Sequence, residues 1–418
     1  MTQLIAGAGA VASVGEGVGA LFGALCAGTS GLAGLRGFDA ARYRVRHAYE
    51  IDDRPPGGGD VPGRATAWLL RAVAEAAAQA GLGDDLADVP VLVGTGLREL
   101  RSAELAWRDG VPFDAARQHF GTALRERFGA QRTYTFSGAC SASLYALAMG
   151  ADMVEGGMAD TVVVAGVDTL TESMHGLLDR VNSEPPRQVR PFDRARRGVL
   201  MGDGAAAVVL RREEPGAAGS ALGRLRSVGV NCDARHVTAP DPQGIAAAMR
   251  DAQRRAGVKP CDIDLVLLHG TGTLLNDGAE AAALGRVFGR HVRGPLMTAL
   301  KSMTGHTSGG SGLLSLIVAL RALSSGRVPP VVGLADPARE AAAFRFAREP
   351  VAGADLRVAQ IDAFGFGGVN AVAIVERTGG HRFGHPGRVT SGGERATGGG
   401  QATGGGRTAA DAGRAGHR

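Results

Sequence analysis

The stretch that most constrains this chain is Phe136-Ser137-Gly138-Ala139-Cys140-Ser141-Ala142-Ser143. A short β-prone run, Thr133 to Phe136, enters a turn built of small residues. Beyond Cys140 the pattern turns helical, with Leu144, Leu147, Ala148, Ala151 and Val154 falling on one face. The spacing predicts a buried strand that hands over to a helix, with the cysteine at the junction. Small neighbours let the backbone bend sharply and let a ligand come close. A thiol at a helix N-terminus also faces the positive end of the helix dipole, which favours thiolate. Taken alone, the same residue also reads as a small core cysteine, since free cysteines are among the most buried side chains.

Two later stretches repeat the plan. Leu265-Val266-Leu267-Leu268 reads as a buried strand and ends in His269-Gly270-Thr271-Gly272-Thr273. Leu296 to Leu300 leads into Lys301-Ser302-Met303-Thr304-Gly305-His306, a glycine-rich run and an apolar helix from Leu313 to Leu323. Open α/β folds place ligands at the carboxyl ends of strands. A nucleophile and two histidines in equivalent positions therefore imply one site. Each residue has a plainer reading as well. A lone histidine after a strand is commonly structural, and Thr271 and Thr273 can cap a turn. Asp277 can be the N-cap of the helix Asp277–Phe288, with Glu280 completing a capping box. Lysine is nearly absent from the chain: of 46 basic residues only Lys259 and Lys301 are lysines. A lysine at 301 reads either as a compact ammonium wanted there in place of a guanidinium fork or as chance placement. No His/Cys spacing points to a metal.

Together these motifs resemble the β-ketoacyl-acyl-carrier-protein synthases (ketosynthases) of the thiolase superfamily. The resemblance runs from Leu4 to about Glu376. It rests on Gly138-Ala139-Cys140-Ser141-Ala142, His269 to Thr273 with Asn276-Asp277 and Glu280, and Lys301 to His306. Arg190-Pro191-Phe192-Asp193, Met201-Gly202-Asp203-Gly204-Ala205 and Phe364-Gly365-Phe366-Gly367-Gly368-Val369-Asn370-Ala371 complete it. The resemblance implies an α/β, thiolase-like fold: two similar stacked halves in five layers (αβαβα). It implies that Cys140 carries an acyl group, while His269 and His306 stabilise the enolate of a malonyl thioester. Lys301 would orient His306, and the backbone N–H groups of Cys140 and Phe366 would bind oxyanions. Phe366, with Phe364 beside it, matches the gating loop; Thr271 and Thr273 match pantetheine-binding hydroxyls. Asp277 and Glu280 match an acidic pair supporting the lysine. No separate cofactor is implied, because substrates ride on the phosphopantetheine of an acyl carrier protein. The family implies a dimer, either a homodimer or a pair with a chain-length-factor-like homologue. Two departures, Leu97-Arg98-Glu99 after Gly96 and Arg197 before Gly198, together with a compact chain, favour polyketide or other secondary metabolism. Two other readings stay open: an acyltransferase to an oxygen or nitrogen nucleophile, and a non-catalytic chain-length-determining subunit, which would lack the cysteine.

Strands and helices alternate in two similar passes. The expected division is an N-terminal half (1–218) with the cysteine, a C-terminal half (219–378) with both histidines, and a disordered Gly/Arg-rich tail (379–418). Glu213–Ser220 reads as the linker and Ala205–Leu210 as an edge-type strand. Gly7-x-Gly9 mimics a dinucleotide fingerprint, but the third small position is Ala12 and no acid follows at the right distance; it reads as a strand-to-helix turn. The net charge of +5 includes +4 from the tail, so the balance is poor support for nucleic-acid binding. Four cysteines without a CxxC pair fit reduced thiols in the cytoplasm. No stretch reads as a signal peptide or as long and apolar enough to span a membrane. Arg98, Arg101 and Arg197 are candidates for steering an acidic carrier.

Overall fold

The computed structural model describes residues 3–54, 58–181, 184–213 and 221–379. The expected tail from residue 380 and residues 214–220 of the expected linker lie outside the described residues.

Ten strands form two runs of the same topology. The first comprises β1 (Gln3–Ala12), β2 (Val91–Thr95), β3 (Thr133–Ser137), β4 (Thr161–Asp168) and β5 (Gly204–Arg212), in spatial order β1-β5-β4-β2-β3. The second comprises β6 (Gly223–Cys232), β7 (Leu265–Leu267), β8 (Leu296–Thr298), β9 (Val358–Gly365) and β10 (Val369–Glu376), in order β6-β10-β9-β7-β8. In each run the last strand is antiparallel to both neighbours, and the second strand is parallel to both of its own. A short antiparallel pairing of Gln3–Ile5 with Gly223–Leu225 joins the runs into one sheet.

The layers follow from side-chain alternation. In β4, Val162 and Val164 face a central core, while Val163, Ala165 and Val167 face an outer one. β5 divides likewise, with Ala206, Val208 and Leu210 inward and Ala205, Ala207 and Val209 outward. Both faces are buried, which explains continuous apolar runs in place of polar alternation. Helix α1 (Arg64–Gln79) covers the outer face of the first run. Helix α2 (Ala142–Glu155) lies in the central core. Helices α3 (Pro242–Ala256) and α4 (Leu274–Phe288) cover the outer face of the second run. Helix α5 (Ser311–Ser325) packs against α2 between the two runs. The result is the αβαβα thiolase-like fold.

Four expectations are corrected here. β5 is not an edge strand, because β1 and β4 flank it. β3 is not fully buried: it is the outermost strand of its run, and Tyr134 is exposed. The window Ser308–Ser325 is long and apolar enough to cross a membrane, with mean hydropathy 1.2, yet 83% of it is buried as the central helix. Gly7 and Gly9 form no turn but lie inside β1. A Cβ on them would sit 2.1 Å from Ala76 O and 2.0 Å from Ala72 O, so the glycines let α1 rest directly on the strand. Replacing Gly9 by valine is therefore expected to destabilise the fold by at least about 1–3 kcal/mol, the usual cost of overpacking. A denaturation midpoint matching that of the parent protein would refute the packing argument.

Candidate active site

The repeated topology creates the site. Cys140 lies between β3 and α2; His306 lies at the equivalent place between β8 and α5. Because α2 and α5 are central neighbours, residues far apart in sequence meet: His306 Nε2 is 2.9 Å from Cys140 Sγ. His269 follows β7, and its ring stands edge-on to His306 with centroids 5.4 Å apart and planes at 84°. The sulfur and one nitrogen of each imidazole all lie within 4.8 Å of one another.

Local conformation sets the sulfur's position. Ala139 takes a left-handed φ of 49°, which bends the chain ahead of the 3-10 turn Ala139–Ser141. The backbone of Gly365 rests on that turn, where any Cβ would be 3.3 Å from Cys140 N. The backbone N–H groups of Cys140 and Phe366 both interact with the thiol. Burial pushes the Cys140 thiol up to about 11, against the Lys301 charge that pulls it down and beside the Asp168 charge that raises it further. The helix-dipole argument for a thiolate is thus overturned: desolvation outweighs it, and the group is a thiol at neutral pH.

Lys301 was expected beside His306, but its contacts are with His269. Nζ donates to the His269 carbonyl oxygen and lies 3.4 Å from Nδ1. An ammonium cannot accept, so Nδ1 is the acceptor and the His269 proton sits on Nε2. Burial holds both imidazoles well below their usual pKa, with the Lys301 charge acting the same way. Both are neutral. Nδ1 of His306 is buried without a partner among the described residues. Lys301 itself is lowered to about 8 by burial, against the opposing charges of Cys140, Glu280 and Asp277.

Glu280 accepts from the backbone N–H groups of His269 (2.7 Å) and Gly270 (2.9 Å). Asp277 accepts from Phe192 N (2.8 Å) and Gly272 N (3.2 Å). Burial raises Glu280 to about 7 and Asp277 to about 6. Neither acts as a helix cap: α4 begins at Leu274, and the N-cap is Thr273, whose hydroxyl accepts from Asn276 N at 3.2 Å. Asp277 and Glu280 sit within the first turns of α4 and instead hold the His269–Gly272 loop. Thr271 Oγ1 lies 2.9 Å from Thr273 Oγ1. Phe364 is buried edge-on to His269 at 5.7 Å, whereas Phe366 is half exposed at the rim. Gly367 N donates to Val237 O at 2.7 Å, and the Asn370 amide ties the loop to Asn231 and Asp233.

One carboxylate, Asp168, escaped the sequence reading, and a second, Asp203, stood there in a motif without a role. Asp168, at the end of β4, accepts from Thr95 Oγ1, Gly96 N, Leu97 N and Gly309 N at 2.6–2.8 Å. Asp203 accepts from Leu170 N and Ile51 N, and burial raises it to about 6. The neighbouring backbone holds His306, through His306 N to Leu200 O and Gly202 N to His306 O. For Asp168 the signal available was an acid closing an otherwise apolar strand.

The candidate docking arginines divide. Arg101 is only 2% exposed and belongs to a buried ion network, bonding Asp60 at 2.7 Å and Glu104 at 3.1 Å and donating to Gly37 O. It cannot present its charge to a partner. Arg101→Met should lower the unfolding free energy by about 1–3 kcal/mol, because it leaves Asp60 Oδ2 and Gly37 O without their buried donor while Arg54 and Arg64 still hold Oδ1; an unchanged denaturant midpoint would contradict that role. Arg197 is exposed and paired with Glu184 at 3.1 Å. Arg98 is half-buried in a left-handed conformation, φ 59°.

Cys140, His269 and His306 are also the one group among the described residues whose donors are close enough to share a metal. The Lys301 ammonium against His269 opposes a cation there.

The chain matches the family model of the beta-ketoacyl synthase N-terminal domain over residues 4–216 and that of the C-terminal domain over residues 222–335. It is 30% identical over 359 residues to nodulation protein E of Rhizobium meliloti (strain 1021), covering 82% of this chain and 88% of that protein. It is 28% identical over 408 residues to 3-oxoacyl-[acyl-carrier-protein] synthase 2 of Coxiella burnetii, covering 90% and 98%. Among solved structures, the ishigamide ketosynthase/chain length factor matches with a TM-score of 0.81 at 30% identity, over 90% of this chain and 99% of that one. The chain belongs to the β-ketoacyl synthase family. It is a ketosynthase, an acyltransferase of the condensing kind.

Proposed function

We propose that the protein joins an acyl group carried on Cys140 to a malonyl-type thioester by decarboxylative Claisen condensation, with both substrates on the phosphopantetheine arm of an acyl carrier protein. The observation that carries this reading is the meeting of the Cys140 sulfur, two neutral imidazoles and two backbone N–H groups in one buried place. In the first half-reaction Cys140 displaces the carrier thiol and becomes a thioester, an exchange of like for like. The malonyl thioester then loses carbon dioxide, and the electron pair of the broken bond becomes an enolate. His269 Nε2–H and the His306 imidazole donate to the thioester oxygen where that charge develops. The enolate carbon attacks the acyl carbonyl, and the N–H groups of Cys140 and Phe366 receive the resulting oxyanion. Collapse expels the Cys140 thiolate, which is reprotonated, and releases a β-ketoacyl carrier.

Phe366, on a rim of glycines, acts as the gate for the acyl chain, with Phe364 the fixed wall behind His269. The Thr271 and Thr273 hydroxyls meet the pantetheine arm. Asp277 and Glu280 hold the His269 loop, and Lys301 sets the His269 tautomer. The two topological runs correspond to halves 1–218 and 219–378. The enzyme works in the cytoplasm, in polyketide or another secondary metabolism, as a homodimer or beside a chain-length-factor-like homologue. The ishigamide ketosynthase/chain length factor supports the latter arrangement. Incubation with acyl- and malonyl-carrier is expected to release carbon dioxide and a β-ketoacyl product, with the acyl mass trapped on the Cys140 peptide. Acyl transfer to an alcohol or amine without carbon dioxide would overturn the proposal.

A further inference from the structure

Asp168 is not one of the catalytic set, yet its carboxylate joins two turns that flank them. Its four acceptor positions are all filled. Oδ1 takes Thr95 Oγ1 and Leu97 N, both at 2.7 Å. Oδ2 takes Gly96 N at 2.8 Å and Gly309 N at 2.6 Å. Thr95 to Leu97 is the turn leaving β2, whose neighbour β3 delivers Cys140. Gly309 lies three residues beyond His306, in the turn that opens α5. The two turns touch: a Cβ on Gly309 would stand 2.6 Å from Thr95 Cα, and one on Gly96 would stand 2.6 Å from Ser308 Oγ. Backbone amides that converge so closely repel unless an acceptor lies between them. His306 is thus fixed on both flanks, by the Leu200–Gly202 backbone on one side and through Gly309 on the other.

We infer that Asp168 is a positioning residue for the reaction: it clamps the turn leaving β2, on which the Cys140 turn packs at Ala139, to the His306 turn. Resting on the condensing reading above, this adds a task to a residue that touches no substrate. The charge has a direction. Among the groups acting on Cys140, the Lys301 cation favours thiolate and the Asp168 anion favours thiol, with neutral His306 in contact. The Asp168 charge thereby adds to the burial that keeps the sulfur protonated between turnovers, and the Lys301 charge opposes it.

The test pairs a charge change with a bond change. In Asp168→Asn the charge is lost and an NH2 group faces amide donors. The pH midpoint for alkylation of Cys140 by iodoacetamide should move down by about half a unit or more. Condensation should fall about ten-fold or more, with KM little changed. A purely structural role would slow the reaction without lowering that midpoint. Thr95→Val removes one bond and keeps the charge, and serves if the asparagine variant does not fold. It should slow acylation of Cys140 several-fold, and Thr95→Ser should restore it. An unmoved midpoint in Asp168→Asn, or full acylation by Thr95→Val, overturns the inference. Alkylation needs no carrier substrate, so the Asp168→Asn midpoint stays readable if the parent protein fails to condense, which would defeat the reaction assignment instead.

Discussion

Cys140→Ala should abolish β-ketoacyl formation, with a loss of roughly 10³-fold or more, the scale expected when a covalent nucleophile is removed. The acyl mass found on the Cys140 peptide should vanish with it. The loss is chemical and not structural. Cys140 is small and half-buried, and its sulfur contacts His306 without closing any part of the core. The unfolding midpoint should therefore stay near that of the parent. The same variant separates the two half-reactions. In the proposed scheme, loss of carbon dioxide from the malonyl carrier depends on His269 and His306 and not on sulfur, so Cys140→Ala should still release it at a measurable rate. His269→Ala should not, although it retains the cysteine and should still accept an acyl group. If Cys140→Ala turned over normally, the thiol would be a bystander and the acyl-enzyme scheme would end. If His269→Ala released carbon dioxide at the parent rate, the imidazole would have no part in forming the enolate.

Much of this site was legible because it is local. Each proposed catalytic side chain stands just beyond a strand, in a run of small residues that breaks one periodicity and starts another. Cys140, His269 and His306 could be picked out that way, and two matching passes of strands and helices implied that they converge. What the sequence did not disclose depends on neighbours far along the chain. Lys301 precedes His306 by one helical turn, yet its ammonium reaches across to His269, because β7 and β8 are adjacent and parallel. Arg101 looked like a surface charge until Asp60 and Gly37 closed over it. Asp168 carried no motif at all; its meaning lies in four donors from two distant turns. Gly7 and Gly9 read as a turn because a glycine run has that local meaning, whereas here their small size serves a helix pressed against the strand. The balance at Cys140 was misjudged for a related reason. A dipole can be inferred from a helix start, but desolvation depends on everything packed around the atom.

The second large effect is expected at Lys301. Lys301 is 4% exposed, and its ammonium contributes in two ways. By facing Nδ1 of His269 it commits the ring proton to Nε2, where an enolate can use it. Its charge is also the strongest influence favouring thiolate at Cys140. Lys301→Met keeps the stem and removes both contributions, and leaves Glu280 facing the loss of a cation. Condensation should fall by about 10²–10³, the range for deleting a preorganised electrostatic donor, and the Cys140 alkylation midpoint should rise. The pH dependence gives the sign independently. Burial holds Lys301 down to about 8, so the ammonium is present below that pH and is lost as pH rises through it. Condensation by the parent should therefore decline on the alkaline side near pH 8, well before an exposed lysine would titrate. In Lys301→Met that decline should be absent, since nothing remains to lose the proton, and the low residual rate should run flat across the same interval. An alkaline limb that persists unchanged in Lys301→Met would assign it to another group and remove the lysine from the mechanism. Lys301→Arg tests geometry at constant charge. A guanidinium cannot lose its proton in this range, but its planar fork does not fit the space between the His269 carbonyl and Nδ1. It should lack the alkaline limb and still be slow, which separates the need for a charge from the need for a compact one.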